Sequence, residues 1–393
     1  MKKLFILFSL IALVPLWAQS DLQNYLSDEK NLMFDFQQQQ SDVQAGKLQN
    51  SWVSPVTLSY QKDWKPQADG KMHASDAFSI GIDQPIFKSG GIYFGIKYAQ
   101  AVRGANAKEI ALQKRQLIAQ AAEILFTYRK TKLQLQKLRL LVKNGAIAIK
   151  RQEEMYGAGV VESSVLDQTI LAHNRDNTQK LDLELALRQL RANFAFLSDK
   201  NPDKIRLPKL HLISLDRYRK KNLKLAAEKL HAEEKRYGAR MTWTKYLPTV
   251  TAYAHYRYTN EYTPGKMKGL KNYGFRISMP LSITAPADIE SSRLSYLLAQ
   301  VKVRDQRKVI HTEYALVRAS LRILDRKRAL AKRDEALYRR LVKSTRDLVK
   351  AGQKTPADLQ TMRNSLAMKK LDRRIFYLEK QLQLLKLYAK VAR

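Results

Sequence analysis

Between residues 91 and 155, apolar or small side chains return at Leu117, Ala121, Ile124, Tyr128, Leu135 and Leu138, at steps of four, three or their sum. That spacing is a coiled-coil seam, and after Gly104 only Gly145 interrupts a stretch otherwise free of Gly and Pro. It predicts a single helix of roughly 60 to 65 residues, about 90 to 100 Å at 1.5 Å per residue. A break follows at Gly157 and Gly159. Ser163 or Ser164 is the expected N-cap of a returning helix, which carries Leu183, Leu187, Leu190, Phe194 and Leu197 at heptad spacing. Asn201-Pro202 and Pro208 mark a linker, and a shorter helix is expected over residues 215–243. A second long helix runs over 288–350 and breaks at Gly352. It restarts at Thr355-Pro356, an N-cap with Pro in the first helical position, and returns with Leu371, Ile375, Leu378, Leu382, Leu385 and Ala389 in register.

Two regions change period from 3.5 to 2. KNYGFRISMPLS (271–282) sets Tyr273, Phe275, Ile277, Met279 and Leu281 against Asn272, Gly274, Arg276, Ser278 and Ser282. TVTAYAHYRYTN, just upstream, alternates in the same way, and a loop with Thr263-Pro264-Gly265 joins the two as a hairpin spanning 248–283. In the first half, VSPVTLSYQKDW, a loop with Asp69-Gly70 and DAFSIGIDQPIF make a matching hairpin over 52–87.

The two halves also match along their length. YGAGVVESSVLDQ (156–168) is echoed by LVKAGQKTPADLQ (348–360), and the offsets are 193 residues from Pro55 to Pro248, 195 from Pro85 to Pro280 and 193 from Gly159 to Gly352. A near-constant offset across strands, helix and turn predicts duplication of a whole unit. The first repeat is 19–210, with its turn near 157–163, and the second 211–393, with its turn near 352–356. Each is expected as helix, two strands, long helix, turn, helix.

Composition decides where such a chain would work. MKKLFILFSLIALVPLWAQS pairs two lysines with an apolar run and Ala18, as a secretory signal over 1–18 does, although Leu16 leaves an uncleaved anchor as an alternative. No later run of eighteen apolar residues predicts a transmembrane helix. Cys is absent, which excludes disulfides, thiolate metal sites and an acylated N-terminal Cys. The net charge of +35 would suggest nucleic acid in a cytoplasmic protein; export redirects that to lipid headgroups, acidic partner surfaces or anionic cargo.

Strands of ten to twelve residues with period two, in an exported chain, match outer-membrane barrel strands of roughly 9 to 11 residues. Four strands cannot close a barrel, which takes at least about eight. A homotrimer would supply twelve and leave no exposed edge in lipid. Trp52, Trp64 and Trp243, with Tyr60, Tyr258, Tyr262 and Tyr273, fall at or just outside the strand ends, as an aromatic belt against outer-membrane lipid would require. A soluble sheet whose aromatics pack on helices is the alternative. The expected fold class is mainly α with a membrane β-barrel part: a trimeric twelve-stranded barrel continued by a long helical coiled-coil barrel.

DQPIFKSGG (83–91), YLPTVTAYAHY (246–256) and the two turn-and-restart stretches, in this order and duplicated, resemble the TolC-like outer-membrane factor family over nearly the whole mature chain. The resemblance implies a passive exit duct of a tripartite efflux pump or type I secretion system. A periplasmic adaptor and an inner-membrane transporter would open it at its periplasmic tip. It places Asp358 at the first acidic position of the closing network and Lys354 at a basic tethering position. Thr361 stands where a second acid would be, and Val165 where the first repeat would carry a tethering Asp. Gly157, Gly159 and Gly352 correspond to the turns where an adaptor docks.

The residues offer no enzyme chemistry. The six His show no HExxH or comparable ligand spacing, and no phosphate loop or GxSxG elbow occurs. GAG at 157–159 lacks the third Gly and the preceding strand of a dinucleotide site. SDEK (27–30) fits the short SxxK pattern by chance, and His173 reads as a packed residue. No cofactor, metal or nucleic acid is expected. The competing functional class is an exported basic coiled-coil scaffold of the envelope that binds polyanions.

Overall fold

The computed structural model describes residues 25–66, 72–261 and 267–392. The expected signal segment with Trp17, the loop signals Asp69-Gly70 and Thr263-Pro264-Gly265, and Tyr262 lie outside the described residues. In chain order the elements are α1 (Asp28–Gln49), β1 (Thr57–Pro66), β2 (Met72–Phe87), α2 (Gly91–Gly157), α3 (Ser163–Ala195), α4 (Leu215–Lys220), α5 (Leu223–Lys245), β3 (Thr249–Glu261), β4 (Met267–Ser278), α6 (Ala285–Lys350) and α7 (Pro356–Tyr388). The helices α2 and α6 have 67 and 66 residues, and α3 and α7 have 33 each. No described helix is long and apolar enough to cross a membrane.

The chain packs as two compact units, each drawing on both halves of the sequence. Unit 1 takes Leu112–Asn222, Ile310–Arg393 and the described residues up to Phe34; unit 2 takes Asp35–Ala111 and Leu223–Val309.

In unit 1, Ala121, Tyr128, Leu135 and Leu138 of the expected α2 seam are buried, and Ile118, Ala122, Leu125 and Phe126 widen it by one position. Such a stripe is broader than a two-helix seam needs, as fits a helix that meets more than one neighbour. Ile375, Leu378 and Leu385 of α7 are buried as their register predicts. The linker after α3 is fastened from both sides. The Gln381 carboxamide accepts from the backbone N–H of Leu210 at 2.7 Å and donates to its carbonyl at 3.3 Å. Asp203 accepts from Lys132, Tyr128 and Arg191 at 2.7 to 3.0 Å. Backbone polar groups of an irregular segment need such partners once water is excluded.

The helix expected over 215–243 is broken at Lys221 and Asn222. Asn222 is 1% exposed and forms an isolated antiparallel bridge with Val391, and the carbonyl of Lys221 accepts from Ala392 N–H. A tertiary contact with the chain's far end thus overrides a local helical pattern. The last expected strand runs from Met267 to Ser278 instead of 271–282, and the first begins at Thr57, beyond Pro55. In unit 2, α2 and α5 are joined through His231, whose ring nitrogens meet Glu109 at 2.9 Å and Glu234 at 3.0 Å.

Candidate functional site

Unit 2 carries one antiparallel sheet in the order β1-β2-β3-β4, so the central β2–β3 pair joins the two sequence halves. Its register sorts side chains by chemistry. Leu58 pairs with Ile80, Ile80 with Tyr256, Phe78 with Tyr258, Ile82 with Ala254, Ala254 with Tyr273, Ala252 with Phe275 and Val250 with Ile277. Because successive side chains alternate, these residues share one face across all four strands. The face is not covered: Tyr273, Phe275 and Ile277 on β4 are 80%, 73% and 74% exposed, and Leu58, Tyr60 and Trp64 on β1 are also open. Toward the 67–71 end it turns polar, where Tyr60 donates to Asp76 at 2.9 Å and the Lys62 ammonium lies 5.5 Å from the Trp64 ring.

The opposite face is polar. Ser59 and Ser79 hydroxyls meet at 2.7 Å, and the Asp83 carboxylate takes His255 at 3.0 Å and the Arg276 guanidinium at 3.7 Å. Arg276 also lies 5.1 Å over the Tyr253 ring. Among the described residues β1 pairs only with β2, and β4 only with β3, so both outer strands carry unpaired backbone edges. A long unpaired edge beside an exposed apolar face demands cover from another chain or from itself.

Of the expected aromatic belt, Trp64, Tyr258 and Tyr273 lie on the apolar face. Trp52 lies in the turn before β1, and Trp243 is in the last turn of α5, half exposed, six residues before β3 begins.

The second region is the pair of helix-to-helix turns, both in unit 1. Gly159 and Gly352 have φ of 73° and 70°, which L side chains rarely adopt. At each turn, two backbone bonds close a Schellman cap: Gly159 to Tyr156 and Val160 to Met155 in the first, Gly352 to Val349 and Gln353 to Leu348 in the second. Gly157, expected to share the break, instead closes α2 as its last residue. A Cβ added at any of these three glycines meets nothing within 4 Å, so the turns face open space.

The restarts differ. Glu162, not Ser163 or Ser164, is the N-cap of α3, and its side chain caps nothing. Thr355 caps α7 with a full capping box: its hydroxyl accepts from Asp358 N–H at 3.2 Å, and the Asp358 carboxylate accepts from Thr355 N–H at 3.0 Å. Hydrogen bonds donated to the carboxylate by the Thr355 N–H and hydroxyl, with Arg151 and Lys354 nearby, hold the Asp358 carboxyl below the usual range. Arg151 lies 3.5 Å from Asp358. The sequence pattern did not single Arg151 out, because it sits on α2, 207 residues away. Thr361 bonds back to the Ala357 carbonyl, and Val165 and Lys354 are exposed. Ser27 of the SxxK pattern accepts from Lys30 N–H at 3.4 Å and so caps α1. His173 packs at Gly145, where an added Cβ would lie 2.6 Å from Nδ1.

No protein-family model matches the sequence, and no curated protein matches it. Solved structures do match. The outer membrane protein VceC of Vibrio cholerae aligns with a TM-score of 0.73 at 14% identity, over 94% of this chain and 95% of that one. The CmeC outer membrane channel of Campylobacter jejuni aligns at 0.72 and 12%, over 94% and 85%. The outer-membrane channel OprN aligns at 0.74 and 12%, over 94% and 88%. Agreement over nearly full length, together with the paired helical hairpins and the two-faced sheet, gives this chain the fold of the TolC-like outer-membrane channels.

Proposed function

We propose that this chain is the outer-membrane exit duct of an efflux pump or type I secretion system, and that it works as a homotrimer. The observation that carries this reading is the four-stranded sheet, apolar on one face, polar on the other and unpaired at both edges. In hydrocarbon each unpaired backbone group costs several kcal/mol, so the sheet is tolerable there only as part of a closed barrel. Three sheets joined edge to edge make twelve strands, with the Phe275 face toward lipid and the Asp83 face toward a wet lumen. Trp52, Trp64, Trp243, Tyr258 and Tyr273 are then the aromatic belt. The channel structures that share the fold support the same membrane and a channel's role.

The sequence halves, 19–210 and 211–393, are one unit duplicated. Equal 33-residue return helices and turn glycines at matching φ support this. The helical hairpins lie in the periplasm, and the signal over 1–18 is removed. Their turns at Gly157, Gly159 and Gly352 dock a periplasmic adaptor that links the duct to an inner-membrane transporter. Asp358, Lys354, Thr361 and Val165 form the periplasmic gate.

The test is the mass of the full-length protein extracted in detergent from outer-membrane fractions, by light scattering. The expected protein mass is three times that of the mature chain, and single-channel conductance should appear in planar bilayers. A monomer or dimer could not close the barrel and would end the reading.

A further inference from the structure

Unit 1 contains a cleft of about 990 Å³ whose lining neither the sheet nor the hairpin turns use. Six cations line it: Arg129 and Lys132 of α2, Arg328 and Lys332 of α6, and Arg373 and Arg374 of α7. No carboxylate is among the lining residues. Four of the six have an acidic neighbour: Asp203 serves Arg129 at 3.8 Å and Lys132 at 2.9 Å, Glu335 serves Arg373 at 3.3 Å, and Asp325 serves Arg328 at 3.9 Å. Lys332 and Arg374 have no partner among the described residues. The Nε of Arg328 is buried and donates to nothing, while its guanidinium stacks 5.5 Å from the Tyr377 ring. Leu133, Leu207 and Tyr377 supply apolar wall, and Gln136 adds an uncharged carboxamide.

Cations crowded into a concave wall repel one another and focus a positive potential there, which an anion relieves. Guanidinium groups are planar forks matched to oxyanions, and four of them line this cleft together with two lysines. An inorganic anion would satisfy the charges but leave the apolar wall wet. We propose that this cleft binds an organic oxyanion with at least two negative charges on an apolar body; its volume suits small-molecule sites, which run from about 300 to 1,000 Å³. The proposal stands apart from the duct reading, because it needs only the cleft of one chain.

The probe is naphthalene-1,5-disulfonate, titrated calorimetrically into the full-length protein in lipid nanodiscs at low salt. Saturable binding is expected, weakened by high salt and about tenfold for each cation removed in Lys332→Gln and Arg374→Gln. Neither substitution breaks an ion pair among the described residues, so both variants should keep the wild-type circular dichroism; each single variant should bind between wild type and the double. Three results would overturn the proposal. Wild-type protein could show no saturable binding, as would happen if a neighbouring copy or an acidic protein segment fills the cleft. The double variant could bind as tightly as wild type. The neutral 1,5-naphthalenedimethanol could bind as well as the disulfonate, which would reduce the cleft to an apolar patch.

Discussion

Replacing Asp203 with Asn should loosen the linker between α3 and α4 by an amount that depends on pH. The carboxylate accepts from Lys132 Nζ at 2.9 Å, Tyr128 OH at 3.0 Å and Arg191 at 2.7 Å, while Arg129 donates to the carbonyls of Pro202, Asp203 and Ile205. The Lys132 hydrogen bond, opposed by burial and reinforced by Tyr128 and Arg191, lowers the Asp203 pKa from 3.8 to about 2. At about 1.4 kcal/mol per unit, that shift corresponds to roughly 2.5 kcal/mol. The side chain is still 29% exposed, and solvent screening reduces the expectation to about 1 to 2 kcal/mol. Hydrogen exchange of peptides covering 199–210 should therefore run roughly 5 to 30 times faster in Asp203→Asn than in wild type at pH 7. Because the folded pKa is depressed, the contribution is complete above about pH 4 and disappears as pH falls toward 2. The variant-to-wild-type ratio should shrink toward one over that window. A ratio near one at pH 7, or one undiminished at pH 2.5, would refute an ionic clamp.

Other outcomes follow from the same geometry. Gly352→Ala should destabilise the second turn by about 1 kcal/mol through its positive φ, whereas Gly157→Ala, inside α2 with open space around it, should be neutral or stabilising by up to about 1 kcal/mol; exchange at the two turns reads both. Phe275→Arg, on the apolar face, should cost about 2 to 4 kcal/mol at a bilayer midplane and deplete the protein from outer-membrane fractions; Asn272→Arg, on the polar face, should leave its level unchanged. Burial alone would lower the His231 pKa, but Glu234 and Glu109 outweigh it and raise it. The α2–α5 contact should thus be strongest below the usual His pKa of 6.5 and loosen as pH rises through the elevated value. Exchange in α5 that stays flat with pH, or moves the other way, would contradict this.

Much of this arrangement was legible because it follows from period. Heptad spacing marked α2, α3 and α7, and alternation with period two marked the strands and their apolar faces. What period cannot report is a partner distant in sequence. The break at Asn222 comes from Val391, and the strand limits come from cross-strand pairing, not from alternation alone: Met279 and Leu281 continue the pattern but find no partner. Arg151 at Asp358 and the cation-lined cleft were hidden for the same reason, since each assembles side chains from helices that lie far apart in the chain. The N-cap error at Ser163 had a local cause. A Ser before an apolar run resembles a cap, but the Schellman turn at Gly159 fixes where α3 can restart, and Glu162 falls at that place.

The two helix turns separate backbone demand from side-chain choice. Both use the same left-handed glycine and the same pair of capping bonds, yet the restart positions hold Glu162 and Val165 in one and Thr355 and Asp358 in the other. Within one chain Asp358 is already occupied by Thr355, and its pKa is lowered. Convergence of three copies at a closed tip would act in the opposite direction, since like charges raise a carboxyl pKa. The titration of Asp358 in the assembled protein, followed by carbon NMR with selectively labelled Asp, distinguishes the two. A midpoint above the usual carboxyl range is expected if the copies meet at a gate, and Asp358→Ala should then raise conductance while Thr355→Ala, which breaks the cap and keeps the charge, should raise it far less. A midpoint below that range, with equal conductance in the two variants, would leave Asp358 as a helix cap alone.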